Sequence, residues 1–150
     1  MLQPKPGPAL LLNLKFYWKP MNRKLILYIA TSVDGYIAGP DDDLGFLSTV
    51  DKPGEDYGYG AFIDTVDTVI LGRRTYDWVV KHVNTFTHAH KESYIITRTP
   101  RAAIGNINFY TGDLTALVSR LKQKAGKNIF CDGGAEVVHA LLKENLIDEL

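Results

Sequence analysis

Four short segments hold the residues best suited to chemistry. Gly72-Arg73-Arg74-Thr75, Thr97-Arg98-Thr99 and Asp132-Gly133-Gly134-Ala135-Glu136 each follow an apolar run of strand type, and the first and third open helical patterns. A helix N-terminus offers unpaired backbone N–H groups and about half a positive charge. Glycine lets a phosphate approach the main chain closely, and arginine grips phosphate oxygens two at a time. Thr75 adds a hydroxyl donor. One phosphate would not need two helix ends and three arginines, whereas a dinucleotide with an added 2′-phosphate would. The fourth segment, 30–39 (ATSVDGYIAG), leaves a strand and enters a glycine-punctuated loop. There Ala30, Ile37 and Ala38 offer an apolar slot and backbone partners for a flat ring bearing a carboxamide, beside Thr31, Ser32 and Asp34.

Each segment alone has a simpler reading. Gly-Gly is often only a turn, Arg-Arg at a helix start a solvated surface, Arg98 a loop residue and Asp34-Gly35 a tight turn. Their common placement argues for one site, because ligands of open parallel sheets bind outside the carboxyl ends of the strands. None of the segments matches G-x-G-x-x-G or G-x-x-x-x-G-K-[ST].

The elements that must position these residues alternate between strand and helix. Lys24–Ala30 (KLILYIA), Thr68–Leu71 (TVIL) and Ser93–Thr97 (SYIIT) are short apolar runs, as expected of strands buried on both faces, and Ile107–Tyr110 and Lys127–Cys131 extend the set. Residues 55–66 have helical character weakened by Gly58 and Gly60, and Arg73–Lys81 forms a second helix. Asp113–Ala125 places Leu114, Leu117, Val118 and Leu121 on one stripe, with Asp113 as N-cap and Gly126 just past the end. Residues 135–145 form a last amphipathic helix. The pattern predicts an α/β fold with a mostly parallel central sheet.

Composition narrows the function. The 150 residues are 45% hydrophobic and 23% charged, with 17 basic and 17 acidic groups. That suits one globular domain and lacks the basic excess of a nucleic-acid-binding surface. Residues 1–24 hold five of the basic groups and no acid, so the remainder carries a net charge of −5 and must bind any anion through a local site. The single cysteine, Cys131, excludes an internal disulfide and a cysteine-based zinc site; it reads as a buried strand residue in a reducing cytoplasm. His82, His88, His90 and His139 lack ligand spacing, and 88–90 reads as a solvated loop. No apolar run approaches the roughly 20 residues needed to span a bilayer. Residues 1–20, with four prolines before Met21, read as a disordered or non-native extension.

Taken together, S-V-D-G-Y-I-A (32–38), D-D-D-L-G-F-L (41–47), V-I-L-G-R-R-T-Y (69–76), Y-I-I-T-R (94–98) and I-F-C-D-G-G-A-E-V (129–137) resemble the dihydrofolate reductase-like superfamily. The branch they resemble best is the C-terminal reductase domain of the bifunctional riboflavin-biosynthesis deaminase-reductase, with its stand-alone relatives. The resemblance implies a three-layer domain over residues 21–150 lacking its last C-terminal strands, with an exposed sheet edge and a homodimer as consequences. It also implies an NADPH-dependent reductase of a small heterocyclic or carbonyl substrate, of the 5-amino-6-(5-phosphoribosylamino)uracil reductase type. By matched motif, Gly72, Arg73, Arg74 and Thr75 would meet the adenosine-side phosphates, and Thr97 and Arg98 the ribose and its 2′-phosphate. Gly133, Gly134, Ala135 and Glu136 would cradle the pyrophosphate, across a Gly-Gly peptide that is commonly cis. Ala30 would meet the carboxamide, under a loop at 34–39 that includes Ile37. The proton donor falls among Asp34, Asp56 and its neighbour Glu55. A dihydrofolate reductase and a non-catalytic nucleotide-binding protein are the alternatives.

Overall fold

The computed structural model describes residues 23–150; the expectation for residues 1–20 lies outside them. The elements run β1 (Leu25–Leu27), α1 (Tyr59–Asp64), β2 (Val66–Gly72), α2 (Arg73–Val83), β3 (Glu92–Ile96), β4 (Ile107–Tyr110), α3 (Leu114–Gln123), β5 (Asn128–Cys131) and α4 (Ala135–Lys143). Five strands form one sheet in the order β1-β5-β2-β3-β4, and every pairing is parallel. Leu27 and Ile70 both lie in register with Cys131, Gly72 with Ile96, and Ile96 with Tyr110. The carboxyl ends of all five strands therefore lie along one edge.

Strand alternation sorts the core into two layers. Leu25, Leu27, Ile70, Tyr94, Ile129 and Cys131 face α3 and α4, meeting Leu117, Val118, Leu121, Val137 and Leu141. Val69, Leu71, Ile95 and Phe130 face the other way, against Tyr76 of α2, Phe86 and the aromatic residues of α1. The α3 stripe is buried as its spacing requires, and the Asp113 carboxylate caps α3 by accepting from the Ala116 N–H at 2.7 Å.

Four expectations are corrected. Strand β1 ends at Leu27 instead of Ala30, because its partner β5 turns away after Cys131. The helix expected over 55–66 shrinks to Tyr59–Asp64: Gly58 takes a left-handed conformation (φ +85°) just before it. Gly126 is no helix cap, since α3 leaves helical geometry at Lys124. A Cβ at Gly126 would lie 2.6 Å from Asp67 Oδ2, so this glycine makes room for an ion pair. Finally, the outer edge of β1 is partly covered by residues 148–149. The Asp148 N–H donates to the Leu25 carbonyl, and the Leu27 N–H to the Glu149 carbonyl, both at 2.9 Å.

The ion pair beside Gly126 anchors one end of the sheet. Register shifts between Val66 and Thr68, and the intervening Asp67 accepts from the Arg23 guanidinium and from the Lys127 N–H. Arg23 is buried and also donates to Thr68 Oγ1 and to the carbonyls of Leu121 and Lys127. Removing the carboxylate would leave a buried cation short of its counter-charge. Asp67→Ala is expected to lower stability by about 3 kcal/mol, read from the urea unfolding midpoint at pH 7.

Candidate functional site

The three arginine- and glycine-bearing segments meet at the carboxyl edge of the sheet. Gly72 ends β2 and precedes the first residue of α2, and its N–H donates to the Gly133 carbonyl at 2.9 Å. A Cβ placed on Gly134 would come within 3.0 Å of Thr75 Oγ1, so the β2–α2 and β5–α4 junctions are in contact. A Cβ on Gly133 would stand 3.5 Å from Ile29 Cδ1, which ties in the chain just before Ala30. Arg98, beyond the end of β3, lies 3.6 Å from Glu136 in the first turn of α4. Two helix N-termini, two glycine junctions and an exposed guanidinium thus share one edge.

The Gly133–Gly134 peptide is trans, as are all the described peptides, which corrects the expected cis bond. Positive φ at both glycines, +99° and +50°, turns the chain from β5 into α4 without it. Thr97 is buried, and its hydroxyl accepts from the Thr99 N–H, so it shapes the turn that projects Arg98.

The charges around the edge are not all aimed into it. Arg73 pairs with Asp77 one turn along α2 at 2.8 Å, and Asp77 also meets Arg101 at 3.5 Å. Arg74 lies exposed in the first turn of α2. The Glu136 carboxylate faces Arg98, which leaves its backbone, not its side chain, suited to an anion. Exposed pairs of this kind are worth about 1 kcal/mol or less, so a phosphate can displace the carboxylate from Arg98.

The acids divide by environment. Asp34 is exposed in a tight turn and accepts from Ser32 Oγ at 2.5 Å, within a loop that surrounds an open depression lined by Ser32, Asp34, Tyr36, Ala38, Asp43 and Phe46. Ile37 is half-buried in that loop. Asp56 does not fit the role of proton donor. Its two oxygens accept from the Gly58 and Gly60 N–H groups at 2.9 and 3.0 Å, and these bonds hold its carboxyl below the usual carboxylate value of 3.8. It fastens the start of α1. Glu55 is spent in the same way, accepting from the Tyr57 N–H.

Sequence reasoning missed the meeting of His88 with Asp132. His88 is 5% exposed, not solvated, and its Nε2 lies 3.4 Å from Asp132 Oδ2. Phe86 and Phe130 stand edge-on to its ring. The only hint in the sequence is Phe86 and His88 at i, i+2 ahead of β3. Burial, followed by the Asp132 charge, raises the Tyr59 hydroxyl above the usual phenol range, and the Tyr59 ring stands edge-on to the same Phe130. Cys131 is fully buried as expected, and burial pushes its thiol up to about 11. Among the described residues no His, Cys, Asp and Glu side chains gather as a metal site, and no helix is long and apolar enough to cross a membrane.

A parallel sheet flanked by helices on both faces, with glycine junctions converging at its carboxyl edge, defines a dihydrofolate reductase-like α/β domain. Residues 23–150 match the RibD C-terminal domain, and the chain belongs to that family. It is 42% identical over 130 residues to the uncharacterized protein YwjB of Bacillus subtilis (strain 168), covering 86% of this chain and 74% of that one. Identity to YyaP of the same organism is 26% over 138 residues, covering 85% and 71%. A crystal structure from Shewanella sp. PV-4, provisionally assigned to riboflavin biosynthesis, matches with a TM-score of 0.72 at 30% identity, over 83% of this chain and 72% of its own.

Two measurements test this assignment of environments. Cys131 should resist iodoacetamide at pH 8 in the folded protein and react once it is unfolded in urea, as mass spectrometry would read. Because the Asp56 carboxyl is lowered by folding, its contribution to stability is present above pH 3.8 and is lost as pH falls further. The difference in melting temperature between wild type and Asp56→Ala should therefore narrow on going from pH 7 to pH 3.

Proposed function

We propose that this domain is an NADPH-dependent reductase of the 5-amino-6-(5-phosphoribosylamino)uracil reductase type. The observation that carries the reading is the contact between the two glycine junctions, where the N-termini of α2 and α4 meet beside Arg98. The cradle fits a pyrophosphate: glycine at 133 and 134 keeps the backbone bare where a side chain would fill it, and a Cβ at Gly134 would crowd Thr75. Bound NADPH would supply a hydride from C4 of its nicotinamide.

The chain's own residues do the rest. The N–H groups opening α2 and α4 bind phosphate oxygens, with Thr75 and Arg74 beside them. Arg98 gives up Glu136 for the 2′-phosphate and so distinguishes NADPH from NADH. Ala30, Ile37 and the loop at 34–39 shield the nicotinamide side from water. Asp132, beside the Gly133–Gly134 cradle, lines the substrate side of the edge.

Dihydrofolate is the less favoured substrate, because Asp56, the acid that in folate-reducing members of the superfamily would hold the pterin, is occupied by backbone N–H groups. The purified protein is expected to oxidise NADPH at 340 nm when given 5-amino-6-(5-phosphoribosylamino)uracil, and NADPH should raise its melting temperature more than NADH does. Arg98→Ala should cut the NADPH-over-NADH preference about tenfold, or about 1.4 kcal/mol. Absence of any melting shift with NADPH would overturn the reading. A shift without oxidation of NADPH would leave a nucleotide-binding module instead.

A further inference from the structure

Asp132 and His88 come from distant parts of the chain and meet at the rim of the candidate site. Asp132 is the last residue before the Gly133–Gly134 cradle, and its N–H is fixed to the Ile70 carbonyl at 2.9 Å. Cys131 faces α3 and α4, so by alternation Asp132 turns its carboxylate to the opposite side, toward α1. The carboxylate is half-buried, with 28% of the side chain exposed. Oδ2 faces His88, while Oδ1 takes no hydrogen bond from a described residue. His88 itself is buried, with its ring held edge-on by Phe86 and Phe130.

With 5% of its surface exposed, His88 offers little contact to a ligand, and the charged group its ring faces is the Asp132 carboxylate, 3.4 Å from Nε2. We propose that His88 is a positioning residue that fixes the Asp132 carboxylate at the substrate side of the cradle, with Oδ1 free to accept from an N–H or O–H of a polar heterocyclic substrate. This rests on the reductase reading for the identity of the ligand, but the geometry of the pair does not. Tyr59 and Tyr28, packed against each other and against Phe62, wall the same side. A ring placed there would meet one fixed acceptor in an otherwise aromatic surround, an arrangement that orients a ligand as well as binding it.

The test compares His88→Phe, His88→Gln, Asp132→Asn and the double variant His88→Phe/Asp132→Asn. Phe keeps the aromatic packing and removes the nitrogen; Gln puts an amide N–H close to where Nε2 lies. With NADPH and 5-amino-6-(5-phosphoribosylamino)uracil, His88→Phe should lower kcat about tenfold while the NADPH Kd stays within about twofold. His88→Gln should recover most of the loss. In the Asp132→Asn background, His88→Phe should cost less than about a further twofold, since both changes act on one carboxylate. Effects that multiply, or a loss of turnover that tracks melting temperature with no rescue by Gln, would overturn the proposal. If the wild type does not turn over this substrate, the reductase reading fails on its own, and crystal structures of the variants decide the role of His88. An Asp132 carboxylate that rotates in His88→Phe and returns in His88→Gln supports it; one that stays in place overturns it. Should Phe not be accommodated, His88→Leu takes its place in both arms.

Discussion

Two main-chain junctions touch at the carboxyl edge of the sheet, and the candidate site depends on that contact. The Gly72 N–H reaches the Gly133 carbonyl, while Gly134 turns past Thr75 with almost no clearance. A side chain at position 134 would both crowd the threonine and strain a backbone at φ +50°. Glycine therefore sets how near α2 and α4 can bring their N-terminal N–H groups to one another. Two half-charges facing one edge suit an anion in a body whose described part is acidic overall.

The sheet exists, in physical terms, to deliver that contact. Parallel pairing puts β5 between β1 and β2, so that the end of β1 and the starts of α2 and α4 arrive side by side. Both faces are covered by helices, which is why the strands are short and almost wholly apolar. The polar groups buried with them are satisfied: Arg23 meets Asp67, Thr68 and two carbonyls at the amino end. Charge is thus fixed rigidly at the end of the sheet away from the site. At the carboxyl edge the Arg98–Glu136 pair is exposed and exchangeable, whereas the His88–Asp132 pair is largely buried.

The α1 side of the edge has a different character. Tyr28, Tyr59, Phe62 and Phe130 form a continuous aromatic layer, into which Asp132 and His88 insert the polar groups. A half suited to anions and an aromatic half that holds the Asp132 carboxylate meet at Gly133. That division suits two ligands lying end to end: one anchored by phosphates, the other recognised by ring chemistry.

Much of this was legible in the sequence. The apolar runs located every strand, and where a helix intervenes, as between β2 and β3, the chain returns to the sheet in the same direction; β3 and β4 also pair in parallel although only a loop joins them. Gly72-Arg73-Arg74-Thr75, Arg98 and Gly133–Gly134 could be assigned to one edge on that ground alone. Local chemistry was less readable. Asp56 looked like an available acid, yet the N–H groups of Gly58 and Gly60 occupy it, a competition that spacing does not reveal. His88 looked solvated because its neighbours in sequence are polar, although its neighbours in space are Phe86, Phe130 and Asp132. Sequence patterning reports periodic burial within one element; the encounter of a loop histidine with a carboxylate 44 positions away depends on how separate elements pack, and only the folded chain decides it.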